Sequence, residues 1–189
     1  MDGDVSTDNE LVEKALKERQ AFSSIVERYE KPLSRYTRRL GADPEAVKDI
    51  LQETFIKVYV NLNGYDADFS FSTWMYRIAH NEAVNYWRKA RVRPSAFHNE
   101  EDLELFSAIP DKLDLMAEVN DKERAHAVRE SLAQLPDLYR EIFVLRYLEE
   151  KSYDEISDIL QMPPGTVATH LNRGKEKLKK LLKENKTLH

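Results

Sequence analysis

Apolar residues recur every three or four positions along most of this 189-residue chain. Leu33, Tyr36 and Leu40 show the spacing in the first half, and Leu178 and Leu182 show it near the carboxyl end. Such spacing gathers apolar side chains on one face of an α-helix. The alternation that is typical of strands is absent, and five glycines are too few for a turn-rich all-β fold. The sequence therefore predicts an all-α protein.

Breaks in this spacing predict two small helical domains joined by a flexible acidic linker. In the first domain, residues 65–71 lack a helical spacing and predict a loop. Ser72 or Thr73 is expected to cap the long helix that follows this loop. The predicted boundaries are residues 1–9 for a disordered amino terminus, 10–93 for the first domain, 94–120 for the linker and 121–189 for the second domain.

The residues expected of an enzyme or a metal protein are missing or scattered. There is no cysteine, which excludes disulfides and thiolate metal sites. The five histidines do not have the spacing of metal ligands, and solvation is a sufficient explanation for the many carboxylates. We therefore expect no metal, no cofactor and no enzymatic activity. No apolar run approaches the roughly 20 residues that span a bilayer, so we expect a cytoplasmic protein without membrane insertion.

Charge is unevenly distributed along the chain, although the net charge is −5. Residues 77–93 hold five basic residues against one acidic residue, and residues 166–183 hold six against one. Between them, residues 94–123 hold nine acidic residues against two basic ones. Two basic segments are typical of a protein that contacts nucleic acid at two places. Two solvated helix faces and an acidic linker would give the same pattern, so charge alone leaves both interpretations open.

A helix-turn-helix motif is predicted in the second domain. Residues 152–155 form a capping box, and residues 161–165 (QMPPG) form a sharp turn before a basic helix. In a DNA-binding motif of this kind, the second helix presents its first residues to the major groove. An ordinary helical hairpin remains the alternative. The residues expected at the groove or its rim are Thr166, Ala168, Thr169, His170 and Arg173, and those expected to reach phosphates are Lys175, Lys177 and Lys179.

The second domain also resembles a known family. Residues 135–182 read LPDLYREIFVLRYLEEKSYDEISDILQMPPGTVATHLNRGKEKLKKLL, which closely resembles the carboxyl-terminal domain of extracytoplasmic-function (group 4) sigma factors of the sigma-70 family. Three segments of the first domain resemble the same family independently: AFSSIVERYEKPLSRYTRRL, DILQETFIKVYVNL and FSTWMYRIAHNEAVNYWRKAR. The resemblance implies a factor that binds RNA polymerase core enzyme and directs it to promoter DNA. It implies that the second domain reads the −35 promoter element.

The same resemblance implies roles within the first domain. The helix over residues 49–62 is expected to dock on the clamp coiled coil of the largest polymerase subunit, and the polymerase flap is expected to be a further contact. A solvated helix surface is the alternative for this helix. The docking residues are expected to be Asp49, Gln52, Glu53, Ile56 and Tyr59.

The loop before residue 72 and the helix after it are expected to melt the −10 element. A flipped base needs an aromatic or polar pocket, and the strand needs cations along its backbone. By resemblance, the loop captures a flipped base, Asn81 and Asn85 contact the −10 element, and basic residues bind phosphates. The spacing of Trp74, Ile78 and Trp87 also fits burial. The expected set is Tyr65, Phe69, Phe71, Arg77, Asn81, Asn85, Tyr86, Trp87, Arg88 and Lys89.

The sequence departs from the family pattern in the predicted recognition helix. Ala168 and His170 stand where the family often has a basic residue and arginine, which leaves fewer long donors for guanine. Gly174 stands where the family usually has alanine; it costs about 1 kcal/mol of helix propensity but permits close approach. The resemblance further implies control by an anti-sigma factor. A stand-alone helix-turn-helix regulator and a helical adaptor for other proteins are the alternatives.

Overall fold

The structure, a computed structural model, describes residues 6–90 and 121–186. In these two ranges every regular element is helical, which confirms the predicted all-α class. The described residues divide between two compact units, nearly all of the first range forming one and the second range forming the other. The predictions for the acidic linker and for residues 1–5 lie outside the described residues.

The first unit contains four α-helices connected by short segments. They are α1 (Asp8–Lys17), α2 (Phe22–Arg39), α3 (Pro44–Asn61) and α4 (Phe71–Ala90), with short 3-10 turns at Arg19–Ala21 and Leu62–Gly64. The helices α3 and α4 pack side by side, and α1 contacts the beginning of α4. The fully buried residues that join these helices include Ile25, Leu33, Ile50, Val58, Met75 and Ala79.

Helix α1 begins earlier than the predicted start of the folded domain. Thr7 and Glu10 form a reciprocal capping box, in which the Thr7 amide donates to Glu10 Oε2 at 2.6 Å. The Glu10 amide donates to Thr7 Oγ1 at 3.3 Å. These bonds satisfy amide groups that a helix start leaves without partners, so the helix includes Asp8 and Asn9. The predicted disorder therefore does not extend to these two residues.

The cap of α4 also differs from the prediction. Ser70 caps this helix, since its Oγ accepts from the Thr73 amide at 3.2 Å and its carbonyl oxygen accepts from the Trp74 amide at 3.0 Å. The prediction of Ser72 or Thr73 as the cap was wrong, because both lie inside the first turn. Phe71 consequently belongs to the helix, and the loop before α4 spans residues 65–70.

Helices α2 and α4 are linked through the buried interior of the first unit. Tyr36 Oη lies 3.1 Å from Nδ1 of His80, and both side chains are buried. Burial disfavours the charged imidazolium and lowers the pKa of His80 to about 4. His80 is therefore a neutral hydrogen-bonding residue of the core at physiological pH.

Residues 121–186 of the second unit contain four α-helices. They are α5 (Asp121–Ala133), α6 (Asp137–Phe143), α7 (Tyr153–Leu160) and α8 (Pro164–Lys186), and α6 continues into a π-helical turn over Val144–Leu148. Helices α5, α6 and α7 all pack against α8. The central residues of this packing include Val128, Leu132, Ile142, Phe143, Ile156, Val167, Leu171 and Leu178.

Helices α7 and α8 form the predicted helix-turn-helix. The predicted capping box is present, with the Ser152 amide donating to Glu155 Oε2 at 2.8 Å and the Glu155 amide donating to Ser152 Oγ at 3.2 Å. Gln161 ends α7 in the left-handed conformation, at φ 54° and ψ 44°. The Ser157 hydroxyl donates to the Met162 carbonyl at 2.6 Å, which closes the turn before α8.

Candidate nucleic-acid and polymerase interfaces

Helix α3 presents the predicted docking residues on one exposed face. Asp49, Gln52, Glu53, Ile56 and Tyr59 are all exposed, and the opposite face of the helix is buried in the unit. Because these residues are three or four positions apart, they share one face of the helix. The carboxylates of Asp49 and Glu53 come before Ile56 and Tyr59, which form the apolar part of this face.

Val60 extends the apolar part of the α3 face and was missed in the prediction. Its side chain is 68% exposed, the largest exposed fraction among the exposed large apolar residues. It lies one helical turn after Ile56, so the i,i+4 spacing was the signal that could have found it. On the neighbouring edge, the ring of Tyr59 contacts the Phe22 ring edge-to-face, with centroids 5.1 Å apart.

An aromatic cluster supports the loop before α4. The Tyr65 ring lies 5.0 Å from the Phe71 ring and 5.4 Å from the Trp74 ring, measured between centroids. Phe71 and Trp74 lie 5.6 Å apart, and the Tyr29 ring of α2 meets Phe71 edge-to-face at 5.6 Å. The loop therefore begins on an aromatic platform that α2 and α4 build together.

Phe69 projects from this platform at the end of the loop. Its side chain is 65% exposed, while its backbone is held in place. Its amide donates to the Asp66 carbonyl at 3.1 Å, and Tyr65 Oη donates to its carbonyl oxygen. Oδ1 of Asp66 accepts a hydrogen bond from the Asp68 amide at 3.0 Å, which stabilises the same turn. An exposed ring on a fixed backbone is suited to stack on an unpaired base.

Two residues of the predicted melting set lie in the core instead of on the surface. Phe71 is 2% exposed and Trp87 is 8% exposed. Phe71 is almost fully buried and only a small part of Trp87 is exposed, so neither ring is presented on the surface of the unit. Phe71 forms the centre of the aromatic platform, and Trp87 fits the burial that its spacing also allowed.

The outer face of α4 carries the polar and basic part of the predicted set. Asn81, Arg88 and Lys89 are exposed, while Arg77, Asn85 and Tyr86 are half-buried. The sequence prediction missed Val84, which is exposed on the same face one turn after Asn81. An amide beside an apolar residue and two cations can contact base edges, sugars and phosphates.

Asn85 is fixed in orientation by its neighbours. Its Nδ2 donates to Glu82 Oε1 at 3.3 Å, and Arg88 donates to its Oδ1 at 2.8 Å. Glu82 is buried and is itself paired with Lys57 of α3, whose Nζ lies 2.6 Å from Oε1. Buried Glu82 therefore links the cationic end of the α4 face to the neighbouring helix.

Helix α8 exposes part of the predicted −35 set. Thr169, Arg173, Lys177 and Lys179 are exposed, and Thr166 and Ala168 are half-buried. The Thr169 hydroxyl donates to the Gly165 carbonyl at 2.8 Å, which fixes its rotamer. Asn172 was missed in the prediction; it is exposed and lies one turn after Thr169, so helical spacing could have found it.

Two residues of the predicted −35 set are turned toward the protein. His170 is half-buried against Tyr139 of α6, with ring centroids 5.6 Å apart, and its Nδ1 is buried without a hydrogen-bond partner. Lys175 is half-buried, and its positive charge acts on the nearby Tyr147 hydroxyl. Both side chains therefore lie toward α6 and the turn that follows it, whereas Thr169, Asn172 and Arg173 remain exposed near the beginning of α8.

Gly174 sets the distance between α8 and α6. A Cβ atom at this position would lie 2.7 Å from Phe143 Cε2 and 3.5 Å from Tyr139 Cβ. Phe143 is fully buried, so its ring has little room to move away. The close approach predicted for this glycine is therefore present in the structure.

The residues that the structure describes contain no helix long and apolar enough to cross a membrane. Within residues 6–90 and 121–186, no group of three or more histidine, aspartate or glutamate side chains is arranged to hold a metal ion.

Comparisons with known proteins match both units. Residues 25–93 match the family model for sigma-70 region 2, and residues 125–178 match the model for sigma-70 region 4. The chain is 33% identical over 183 residues to the ECF RNA polymerase sigma factor SigW of Bacillus subtilis, covering 92% of this chain and 98% of that protein. It is 34% identical over 178 residues to the ECF RNA polymerase sigma-E factor of Escherichia coli, covering 90% and 91% of the two chains.

Two solved structures share the fold. One is CnrH in complex with the cytosolic domain of CnrY, with a TM-score of 0.65, 23% identity and coverage of 92% of this chain and 96% of the other. The other is the sigma factor RpoE of Bartonella quintana in complex with the anti-sigma factor NepR, with a TM-score of 0.63, 17% identity and coverage of 86% and 96%.

The match of the first unit decides between the alternatives. A stand-alone helix-turn-helix regulator or a helical adaptor gives no role to a region 2 domain, which here occupies residues 25–93. The family match over both units and the 33% identity to a sigma factor across 92% of the chain agree on a transcription initiation factor that is not an enzyme. This chain belongs to the extracytoplasmic-function sigma factors of the sigma-70 family.

Proposed function

We propose that this sigma factor uses three separate surfaces: α3 to dock on core polymerase, the loop and outer face of α4 to open the −10 element, and α8 to read the −35 element. The observation that carries the proposal is that all the residues expected on α3 are exposed, and that part of the expected set before and on α4 and part of the set on α8 are exposed, on helices whose opposite faces are buried. Phe71, Trp87, His170 and Lys175 do not belong to these contact surfaces.

The α3 face is suited to a protein partner. Asp49 and Glu53 provide negative charge, while Ile56 and Val60 provide apolar area one turn further along the helix. A centre of apolar side chains with charge beside it is typical of a protein interface. We assign this face to binding of the clamp coiled coil of the largest polymerase subunit. We assign contact with the polymerase flap to the second unit.

Opening of the −10 element is assigned to the loop over residues 65–70 and to α4. The exposed Phe69 ring stacks on a base that has left the duplex, and the aromatic platform keeps the loop in place. Asn81 and Asn85 contact neighbouring bases, and Arg88 and Lys89 neutralise phosphates along the same strand. This division needs no covalent step in the protein.

Recognition of the −35 element is assigned to Thr169, Asn172 and Arg173 of α8. Asparagine can bond adenine at two positions and arginine can bond guanine at two positions, so these side chains give direct readout in the major groove. Lys177 and Lys179 contact phosphates further along the helix. These cationic contacts make DNA binding strongly dependent on salt.

We propose that an anti-sigma factor holds this protein inactive until a stress signal releases it. The related RpoE of Bartonella quintana was solved with an anti-sigma factor. The α3 face is the surface whose occupation would compete most directly with core polymerase. The released factor acts in the cytoplasm and associates with the nucleoid when bound to polymerase at promoters.

The test is co-elution with bacterial core RNA polymerase in size-exclusion chromatography without DNA. We expect Glu53→Lys to weaken the complex by about tenfold or more, because it reverses the charge directly beside the apolar centre of the proposed interface. Glu30→Lys is the matched control, since Glu30 is an exposed glutamate of α2 in the same unit. Equal co-elution of both variants would contradict the assignment of α3. Tight duplex binding by the free chain without co-elution would contradict the whole proposal.

A further inference from the structure

The amino-terminal end of α1 is bonded to α2 by one carboxylate. Asp8 Oδ2 accepts from the Tyr29 hydroxyl at 2.6 Å, and Asp8 Oδ1 accepts from Arg28 at 2.8 Å. Arg28 also donates to the Ser6 carbonyl at 2.5 Å. The Asp8 and Arg28 side chains are each 31% exposed, so the pair is partly shielded from solvent.

Tyr29 connects this carboxylate to the loop before α4. The Tyr29 ring is 5% exposed and meets the Phe71 ring edge-to-face. Its hydroxyl oxygen is also hydrogen-bonded by Ser72, in the first turn of α4. Phe71 packs on Tyr65, and Tyr65 bonds the Phe69 carbonyl. A continuous series of contacts therefore runs from Asp8 to the exposed ring of the loop.

The loop has few direct contacts with the rest of the unit. Hydrogen bonds within it join Asp66 with Asp68 and Tyr65 with Phe69. Tyr65 Oη also lies 3.5 Å from Asn9 Oδ1 of α1, the long limit of a hydrogen bond, and Ser70 caps α4. The Tyr65 ring packs on Phe71 and Trp74. Since Tyr29 packs against Phe71, the hydrogen bond between Asp8 and Tyr29 supports the platform on which the loop rests, and Asp8 lies more than 50 residues before the loop.

We propose that Asp8 and Tyr29 are positioning residues for promoter opening, which hold the base-capturing loop in place without contacting DNA. This inference rests on the proposed role of the loop in capturing a flipped base. A loop that is already ordered loses less conformational freedom when a base binds, so its affinity for single-stranded DNA is higher. Loss of the Asp8–Tyr29 bond should therefore weaken base capture while polymerase docking and −35 recognition continue.

The experiment uses reconstituted holoenzyme and two DNA probes. One probe is a single-stranded non-template oligonucleotide that carries the −10 element of a promoter opened by the wild-type holoenzyme. The other is a duplex fragment that carries only the −35 element of that promoter. Dissociation constants for both probes are measured by fluorescence anisotropy, and co-elution with core polymerase is measured for each variant.

Tyr29→Phe keeps the ring and removes only the hydroxyl. We expect it to weaken binding of the single-stranded probe about threefold to tenfold, which is the net effect of one ordinary hydrogen bond. Asp8→Ala should have at least the same effect. Asp8→Asn should restore much of the affinity, because its amide oxygen still accepts from Tyr29. Binding of the −35 duplex and co-elution with core polymerase should not change.

Tyr36→Phe is the matched control for a general loss of stability. It removes a buried tyrosine hydroxyl from the same helix, two turns further along, where the partner is His80. We expect this variant to be less stable but to bind the single-stranded probe with wild-type affinity. Equal weakening by Tyr36→Phe and Tyr29→Phe would overturn the positioning role in favour of a purely structural one.

Phe69→Ala separates this inference from the proposed function. If Phe69→Ala weakens binding of the single-stranded probe and Tyr29→Phe and Asp8→Ala do not, the positioning role is wrong and base capture by the loop stands. If Phe69→Ala has no effect either, base capture by the loop is wrong, and the positioning role falls with it.

Discussion

The loop before α4 and the turn before α8 each precede a helix that we propose to contact DNA, but they are held by different kinds of contact. Aromatic side chains of α4 contact the loop, and Tyr29 of α2, which is far away in sequence, packs against one of them. Backbone geometry and local caps hold the turn, through Gln161 in the left-handed conformation and the Ser157–Met162 bond. The loop is therefore held by tertiary packing, and the turn is held by contacts between neighbours in sequence.

This difference agrees with the roles that we propose for the loop and the turn. A loop that accepts a flipped base benefits from side chains that can adjust around it, and such regions are generally among the less stable parts of a protein. A turn that sets a recognition helix in the major groove needs a fixed angle, which short-range backbone bonds provide. The four predictions below test whether the two regions respond to mutation as this contrast requires.

The largest effect is expected from the two phenylalanines beside the loop. Phe71→Ala should lower the free energy of unfolding of the first unit by about 3–5 kcal/mol, because it removes a fully packed ring. Phe69→Ala should change it by less than about 0.5 kcal/mol, because that ring is exposed. Urea unfolding followed by tryptophan fluorescence isolates this unit, since Trp74 and Trp87 are the only tryptophans in the chain. Similar losses in both variants would contradict the aromatic platform.

The second effect is a pH dependence that His80 confers on the first unit. The pKa of His80 is lowered from 6.5 to about 4 in the folded protein. The unfolded chain therefore binds a proton as the pH falls below 6.5, and the folded chain does not until about pH 4. Stability should decrease across this interval, by at most about 3 kcal/mol.

The variant His80→Gln isolates this contribution from that of the carboxylates. Its free energy of unfolding should depend less steeply on pH between 6.5 and 4 than that of the wild type, whatever its value at neutral pH. The measurement is the same tryptophan-detected urea unfolding at a series of pH values. Parallel curves for the wild type and the variant would show that His80 is charged or exposed in the folded state.

The third effect concerns the second unit. Gly174→Ala should destabilise it by about 1–2 kcal/mol, because overpacking against a buried ring costs about 2–3 kcal/mol and better helix propensity returns about 1 kcal/mol. Amide hydrogen exchange in α6 and α8 measures the loss. The double variant Gly174→Ala/Phe143→Leu should recover part of it, and a loss that is merely additive would contradict the contact between the two positions.

The smallest effect compares the two serine caps. Ser70→Ala and Ser152→Ala should each cost about 0.5–1 kcal/mol in their own units. The loss should be greater for Ser152, because its capping box is reciprocal, while Ser70 caps through its side chain in one direction. Tryptophan-detected unfolding measures the first and hydrogen exchange in α7 measures the second. A greater loss at Ser70 would reverse the contrast between the two regions.

The local features were the ones that sequence could predict. The helical spacings predicted the all-α class, and the pattern over residues 152–165 predicted the helix-turn-helix, because caps and turns depend on neighbouring residues. The exposed face of α3 followed from the same spacing. Val60, Val84 and Asn172 obey that spacing as well, so the sequence could have predicted that they share these faces.

The features that sequence did not predict depend on contacts between distant segments. Phe71 and Phe69 are the same residue type two positions apart, and only the packing of Tyr29 and Tyr65 decides which is buried. Likewise, Tyr139 turns His170 partly away from the groove. The bond between Asp8 and Tyr29 joins a segment predicted as disordered to the interior, which no local pattern signals.

The contact between Gly174 and Phe143 has a consequence for the construction of chimeric sigma factors. A recognition helix transplanted from a relative with alanine at this position would carry a methyl group into the space that the Phe143 ring occupies. The transplanted helix would tilt or lift from α6, so its side chains would be displaced from the bases that they normally contact. Chimeras that exchange promoter specificity with this protein should therefore carry α6 and α8 together, so that each helix keeps the partner against which it packs.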